Sequence, residues 1–236
     1  MRSDIPAGIA DLHIHTRHSD GVDSASDVLD WAERIGLDVI AITDHDGIDG
    51  ALVAAAVRRL RRGGPDVIVG EEVSSRDGHI LALFIEKLIP PDLSAEDTVG
   101  AIHEQGGLAI AAHPYWRNGS VDYKGRPYGL GERIRDLGFD AIEVINGGFT
   151  PSMIGANRRA SVVTKSLGRA AVGGSDAHVK HALGWGHTRF VGSTAHDLRR
   201  SIAAGHTQAG RSRLHPTGVG RYATWSLSRL RLRAAV

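Results

Sequence analysis

The chain has 236 residues, of which 42% are apolar and 23% are charged, with a net charge of +1, so a disordered or collagen-like chain is excluded and one large domain is expected. Cysteine is absent, which excludes disulfides, thiolate metal sites and a cysteine nucleophile. No apolar run is long enough to span a bilayer and no N-terminal signal pattern is present, so we expect a cytoplasmic protein without a membrane partner.

Short strand patterns alternate with amphipathic helical patterns along most of the chain. The predicted strands cover residues 9–14, 38–43, 67–70, 79–85, 108–112, 141–145, 170–173 and 187–191, and the predicted helices cover residues 24–36, 50–62, 94–105, 130–137, 151–167 and 194–204. Ser24, three residues before Asp27, is a candidate N-cap. The repeated β-then-α order predicts parallel strands with right-handed crossovers, in a doubly wound sheet or a closed barrel. About seven such units favour the barrel.

The C-terminal part of the chain differs in charge from the rest. All 27 acidic residues lie at or before Asp197, whereas eight of the 28 basic residues follow it. Residues 206–221 are rich in Gly and Arg and are predicted to be irregular. We expect residues 1–210 to form the barrel and residues 211–236 to form a basic segment that docks on it through an apolar side containing Trp225. The alternative is a segment that projects toward an anion such as nucleic acid.

Candidate metal ligands follow several predicted strands. His13 and His15 are two residues apart in a strand pattern, so they point to the same side and can bind one ion together. Other His, Asp and Glu residues follow these strands as well: Asp20, His45, Glu71, Glu72, His113, Asp176 and His178. The C-terminal ends of parallel barrel strands open on one face, where active sites are built. The pattern therefore predicts one site at that face.

Each of these residues also has a purely structural interpretation, because a carboxylate can cap a helix and a histidine can lie in a loop. This interpretation is weaker for the whole set, since carboxylates crowded in a cleft repel one another unless cations neutralise them. The histidines without a strand-end position are interpreted as structural: His103, His181, His187, His196, His206 and His215.

Taken in chain order, the six motifs around His13, His45, Glu72, His79, His113 and Asp176 resemble those of the PHP superfamily (polymerase and histidinol phosphatase), and most closely its stand-alone metal-dependent phosphoesterases. The resemblance spans about residues 9–206 and implies a distorted (β/α)7 barrel with a trinuclear metal site at the C-terminal ends of the strands. The implied ligands are His13, His15, Glu72 and Asp176 for one metal, Glu72, His79 and His113 for a second, and Asp20, His45 and His178 for a third. Of the two neighbouring glutamates we choose Glu72, because Glu71 falls on the variable position of the Gly-x-Glu motif of this resemblance and consecutive strand residues face opposite sides.

The resemblance also implies the chemistry. Two to three divalent ions, of Mn, Zn or Fe, are expected from nitrogen and oxygen ligands. A metal-bound hydroxide held by Glu72, Asp176 and His178 is the expected nucleophile. Three loop cations, Arg117, Lys180 and Arg211, are candidate contacts for the substrate phosphate.

We therefore predict a metal-dependent phosphoesterase that hydrolyses small phosphomonoesters, either nucleotides or phosphorylated metabolites. The alternatives are an exonuclease acting on single-stranded nucleic acid and a non-catalytic metal-binding regulatory domain. The exonuclease is disfavoured because only Tyr222 and Trp225 accompany the basic residues of the tail, so no stacking platform for bases is expected. The sequence predicts no oligomeric state.

Overall fold

The computed structural model describes residues 8–117, 121, 125–214 and 216–234, with side chains as far as residue 227. These residues form nine strands and six α-helices. The strands are β1 Gly8–Asp11, β2 Val39–Ile42, β3 Asp66–Ser75, β4 Gly78–Leu83, β5 Leu108–Ala111, β6 Ala141–Asn146, β7 Ala170–Gly174, β8 Gly186–Phe190 and β9 Thr207–Arg211. The helices are α1 Ala25–Arg34, α2 Asp49–Arg59, α3 Ala95–Glu104, α4 Pro151–Leu167, α5 Ala195–Ala203 and α6 Pro216–Ala234. Short 3-10 helices cover Gly131–Arg135 and Lys180–Ala182.

The strands form one sheet that curves into a nearly closed barrel. Its order is β7-β6-β5-β4-β3-β2-β1-β8-β9. The two edge strands approach each other where the hydroxyl of Thr207, on β9, donates to the carbonyl of Ala171, on β7, at 2.8 Å, and Ile14, beyond β1, bridges to Ala177, beyond β7. The backbone N–H of His15 donates to the carbonyl of Ala177 at 2.9 Å, which ties the same two segments together. The predicted α/β barrel is confirmed.

The repeat inside the barrel differs from the expected seven parallel units. Strands β3 and β4 are joined only by Arg76 and Asp77, too short a connection for a crossover, so they pair as an antiparallel hairpin. Strand β4 is also antiparallel to β5, and β8 is antiparallel to β1 and β9. Because β4 supplies a partner, β3 continues past its predicted end at residue 70 as far as Ser75. The reversed direction of β4 places its first residues, rather than its last, at the open end of the barrel.

A buried apolar cluster connects the strands and makes the barrel a rigid support. It takes side chains from β1 through β8, among them Val39, Ile68, Leu81, Val172 and Phe190. Full burial of such a side chain contributes roughly 1.5–3 kcal/mol to the hydrophobic stabilisation. The loops that follow the strands therefore start from well-defined positions.

Helix α1 begins where its sequence predicts. The Ser24 side chain accepts the backbone N–H of Asp27, and the Asp27 carboxylate accepts the backbone N–H of Ser24 in return. This capping box satisfies two backbone donors that have no partner inside the helix. The predicted N-cap is confirmed.

The region predicted to be irregular contains a strand and the start of a helix, so that prediction is wrong for most of its length. Strand β9 has weak strand-forming residues but pairs with β8, which satisfies its backbone groups, and the expected boundary at residue 210 falls inside it. Helix α6 packs Val219, Tyr222 and Trp225 against the barrel's apolar residues. His215 and residues 235–236 lie outside the described residues. In the described ranges neither α6 nor another helix has the length and apolarity needed to cross a membrane.

Candidate metal centre

Nine His, Asp and Glu side chains meet at the open end of the barrel. They are His13, His15, Asp20, His45, Glu72, His79, His113, Asp176 and His178. Their ligand atoms lie within 4.8 Å of one another in four overlapping groups, namely His15, Asp20, His45 and His178; His13, Glu72 and His113; His13, His15 and Asp176; and His45, Glu72 and His79. The structure thus brings together every residue implied as a metal ligand by the sequence. The division of these residues among individual ions stays a prediction.

Glu72 lies at the centre of this cluster. Its two carboxylate oxygens are 2.8–3.2 Å from a ring nitrogen of each of five histidines: His13, His15, His45, His79 and His113. Burial raises the pKa of the Glu72 carboxyl, but the surrounding imidazoles outweigh burial and hold that pKa well below its usual range. The carboxylate is therefore ionised and able to bridge cations.

Glu71 faces the other side of β3, as strand alternation requires. Its Oε2 accepts the backbone N–H of Ile89 at 2.9 Å, and it is fully buried. Burial raises the pKa of its carboxyl to about 8. Glu71 therefore acts in the framework, on the side of β3 opposite the histidine cluster.

The chemistry of the donor atoms fits divalent transition metals. Among the described residues, His13 Nε2 and His15 Nε2 are buried and each lies 3.2 Å from Glu72 Oε2, yet neither makes a hydrogen bond. Buried ring nitrogens normally have a partner, and a metal ion would satisfy their lone pairs. Neutral imidazole together with carboxylate suits Mn, Zn and Fe alike. The cluster therefore fits the group that the sequence implies.

Glu143 and Asn146, which were not predicted from the sequence, contact the candidate ligands through hydrogen bonds. Glu143 on β6 has its Oε1 3.1 Å from His13 Nδ1, while its Oε2 accepts the backbone N–H of His113 at 2.7 Å. Asn146, at the end of the same strand, donates to Asp176 Oδ2 at 3.1 Å. Partners of this kind orient metal ligands and fix the tautomer of a histidine. The available signal was that Glu143 lies within the predicted strand 141–145 and Asn146 directly after it, but neither belongs to a recognised motif.

The loops that carry the ligands are tied down by buried carboxylates. Asp44 accepts the backbone N–H and the hydroxyl of Thr16, both at 2.7 Å, and the hydroxyl of Ser19 at 2.6 Å. These bonds fix the segment that leads to Asp20. Asp11 accepts the backbone N–H groups of Ser175 and Gly184, each at 2.8 Å, and burial raises the pKa of its carboxyl to about 6.

Two of the candidate ligands have strained backbones. His113 has a φ of 25° and Asp176 a φ of 53°, both in the left-handed region that non-glycine residues rarely adopt. Such conformations persist only where surrounding contacts enforce them, and they concentrate at functional sites. Here Glu143 holds the His113 backbone and Asn146 holds the Asp176 side chain.

The three predicted phosphate-binding cations have different surroundings. Arg117 lies over the rings of Trp116 and Tyr128, at 4.8 and 5.1 Å from their centroids. Lys180 Nζ is 2.7 Å from an Asp27 carboxylate oxygen, at the start of α1. Arg211 donates to the carbonyls of Asn146 and Gly148, both at 2.8 Å. Of these three cations, only Arg117 contacts the aromatic residues that border the ligands. The phosphate-binding role of all three stays a prediction.

Aromatic side chains border the ligands on two sides, whereas the expectation that bases find no stacking platform stays a prediction. The ring centroid of Trp116 is 5.3 Å from that of His113, and the ring of Tyr128 is 5.6 Å from that of His79. On the other side, the ring of Trp225 is 4.1 Å from that of His178. Trp116 and Tyr128 carried no recognisable spacing in the sequence, because the fold alone brings them to the site.

Two of the histidines interpreted as structural have framework contacts. His103 Nε2 is 2.9 Å from an Asp140 carboxylate oxygen on an exposed part of the surface. His187 is buried, with its Nδ1 3.2 Å from the carbonyl of Gly184. Neither residue belongs to the ligand groups of the described residues.

Two family models match the chain. The model described as the PHP domain matches residues 11–121, and the model described as PHP-associated matches residues 155–207. These two ranges contain all nine clustered side chains.

Several known proteins are similar in sequence. An uncharacterised protein of Methanocaldococcus jannaschii is 40% identical over 148 residues, covering 58% of this chain and 81% of that protein. A 5'-3' exoribonuclease of Haemophilus influenzae is 34% identical, covering 42% of this chain and 37% of the enzyme. A 3',5'-nucleoside bisphosphate phosphatase of Chromobacterium violaceum is 40% identical, covering 34% of this chain and 29% of the enzyme. This chain thus spans about a third of the length of these two enzymes.

A solved structure shares the fold. It is a two-domain protein of Bacteroides vulgatus, described as containing a predicted PHP-like metal-dependent phosphoesterase. The TM-score is 0.68 at 20% sequence identity, and the match covers 86% of this chain and 64% of that chain. At this identity the likeness concerns the fold alone.

Proposed function

Because this chain belongs to the PHP family of metal-dependent phosphoesterases, we propose that it hydrolyses small phosphomonoesters, either nucleotides or phosphorylated metabolites. The observation that carries this proposal is the cluster of nine nitrogen and oxygen ligands around Glu72 at the open end of the barrel. We propose two to three ions of Mn, Zn or Fe as the cofactor, since this donor set suits all three metals.

Divalent ions in such a cluster neutralise phosphate charge and lower the pKa of a coordinated water. The protein's own groups then have separate tasks. Glu143 orients the His13 ring so that Nε2 faces Glu72, and Asn146 holds one oxygen of Asp176. Together with His178, the carboxylates of Glu72 and Asp176 orient the attacking water. Arg117 binds the nonbridging phosphate oxygens, which a guanidinium can contact in pairs.

The support for a small substrate is the named activity of one relative, the nucleoside bisphosphate phosphatase, which matches 34% of this chain. Trp225 also covers the outer side of His178, so α6 borders the site. The aromatic rings beside the ligands favour a substrate with a planar group, because bases stack on such rings.

An exonuclease is the second candidate. A relative is named a 5'-3' exoribonuclease, and the partly exposed rings of Trp116 and Trp225 lie beside the ligands, where a base can stack. The two candidates share the metal centre and differ in the bond that is cleaved, a phosphomonoester or a phosphodiester, and in the size of the substrate beyond the reacting phosphate.

The test is a comparison of substrates on the purified full chain, loaded separately with Mn, Zn or Fe. Phosphate release is measured from a panel of nucleotides and sugar phosphates, and mononucleotide release from single-stranded DNA and RNA. We expect at least one phosphomonoester to be cleaved faster than either oligonucleotide. If mononucleotides are released from an oligonucleotide faster than phosphate is released from any monoester of the panel, the exonuclease is favoured instead.

A further inference from the structure

We infer that helix α6 completes the metal centre: Trp225 is a positioning residue for the outer ligand group, made of His15, Asp20, His45 and His178. This inference rests on the proposed metal centre but not on the identity of the substrate. It concerns a segment that lies beyond both family-model matches, which end at residues 121 and 207.

Trp225 contacts two members of this group at once. Its indole Nε1–H donates to the backbone carbonyl of Asp20 at 2.9 Å. Its ring centroid is 4.1 Å from that of His178, with the planes 33° apart, and His178 stacks in turn on His15 at 4.2 Å. A single side chain therefore holds both the loop of Asp20 and the ring of His178.

The helix is itself anchored to the barrel. Gly218 is buried, and a Cβ at this position would lie 2.6 Å from the carbonyl oxygen of His181, so the helix approaches the backbone as closely as only glycine allows. One turn later the Tyr222 ring packs against Phe149 and Trp185, with centroids 5.6 and 6.0 Å apart. Gly218, Tyr222 and Trp225 are four and three residues apart, so they share one side of α6.

The outer group depends on such support more than the inner groups do. His13 and His113 are buried in the barrel end and are held by Glu143. In contrast, Asp20 lies in a loop, and the His45 side chain is 31% exposed. His178 Nδ1 is 3.0 Å from the carbonyl of Asp176, which can only accept, so Nδ1 carries the hydrogen and Nε2 keeps the lone pair that a metal needs. Trp225 fixes the orientation of that ring from its outer face.

The experiment measures Mn²⁺ binding to the chelator-treated full chain by titration calorimetry, without substrate. We expect Trp225→Ala to weaken the binding of one ion per chain by about 10- to 100-fold, the usual effect of removing a group that orients a ligand, and to leave the other ions bound as before. Trp225→Phe keeps a ring but loses the bond to Asp20, so a smaller loss is expected. Leu227→Ala, on the same helix and 60% exposed, is the matched control and should bind as the unaltered chain does.

Equal Mn²⁺ affinities in Trp225→Ala and the unaltered chain, at equal melting temperature, would overturn the inference. Loss of all ions together with a lower melting temperature would show a general structural role and would overturn it as well. If Trp225→Ala does not fold, the comparison of Trp225→Phe with Leu227→Ala decides. An unaltered chain that binds no Mn²⁺ refutes the metal centre itself, whereas a chain that binds Mn²⁺ but cleaves no monoester refutes only the proposed substrate.

Discussion

Replacing Glu143 by Gln changes one buried atom and tests how the ligand histidines are oriented. The two carboxylate oxygens of Glu143 serve His13 Nδ1 and the backbone N–H of His113, at 3.1 and 2.7 Å. A carboxylate only accepts, so His13 Nδ1 carries a hydrogen and Nε2 is left with a lone pair facing Glu72. Glutamine has one oxygen for these two donors.

Only one orientation of the glutamine amide keeps an acceptor for the His113 N–H, and that orientation is unfavourable for metal binding. If its oxygen stays with His113, its NH₂ group donates to His13 Nδ1, and the His13 hydrogen moves to Nε2, where it blocks coordination. If the amide turns over, the NH₂ group faces the N–H of His113 and a buried donor loses its acceptor, at a cost of about 1–3 kcal/mol. We expect Mn²⁺ to bind about 10- to 100-fold more weakly, or about 1.4–2.7 kcal/mol.

The assay is Mn²⁺ titration of the chelator-treated Glu143→Gln chain, with its melting temperature measured in chelator. The matched control is Glu132→Gln, because Glu132 is an exposed carboxylate paired with Arg135 away from the ligands. An affinity for Mn²⁺ within twofold of that of the unaltered chain would refute the tautomer argument. A large loss in the Glu132→Gln control would refute its specificity.

Three further predictions concern the ligands, the metal content and the pH dependence of stability. Replacing Glu72, His13 or Asp176 by Ala should abolish phosphate release, since each change removes a metal ligand. The control variant His103→Ala should stay active. An active Glu72→Ala chain beside an inactive Glu71→Ala chain would mean that the wrong glutamate was chosen. Elemental analysis of protein purified without chelator should find two to three transition-metal ions per chain, and less than one ion without activation by Mn or Zn would refute the trinuclear centre. Burial raises the pKa of Glu71 from 4.5 to about 8, so the folded chain holds this proton more tightly than the unfolded chain. The free energy of unfolding in chelator should therefore fall as the pH rises through this range, by at most about 1.4 kcal/mol per pH unit from this group, and an unchanged slope in Glu71→Gln would contradict the assignment.

The sequence by itself determined features that depend on neighbouring residues. Strand alternation puts Glu71 and Glu72 on opposite sides of β3, because the side-chain period of a strand is two, and the motif resemblance selects Glu72 as the one that faces the cluster. The capping box of Ser24 and Asp27 likewise follows from a spacing of three residues at the start of a helix. The alternation of strands and helices, and the polar residues after the strands, were sufficient to predict a barrel with a site at one end.

The tertiary structure decided what depends on contacts between distant segments. The reversed direction of β4 brings His79 to the site from the start of a strand, and the short β3–β4 connection breaks the expected parallel repeat. Glu143 supports His13 from 130 residues away, and Trp225 bonds to Asp20 across 205 residues. Strand β9 forms because β8 offers it hydrogen-bond partners, although its own residues favour a strand only weakly. Local periodicity carries no information about which segments become neighbours, and for that reason these contacts appear only in the folded chain.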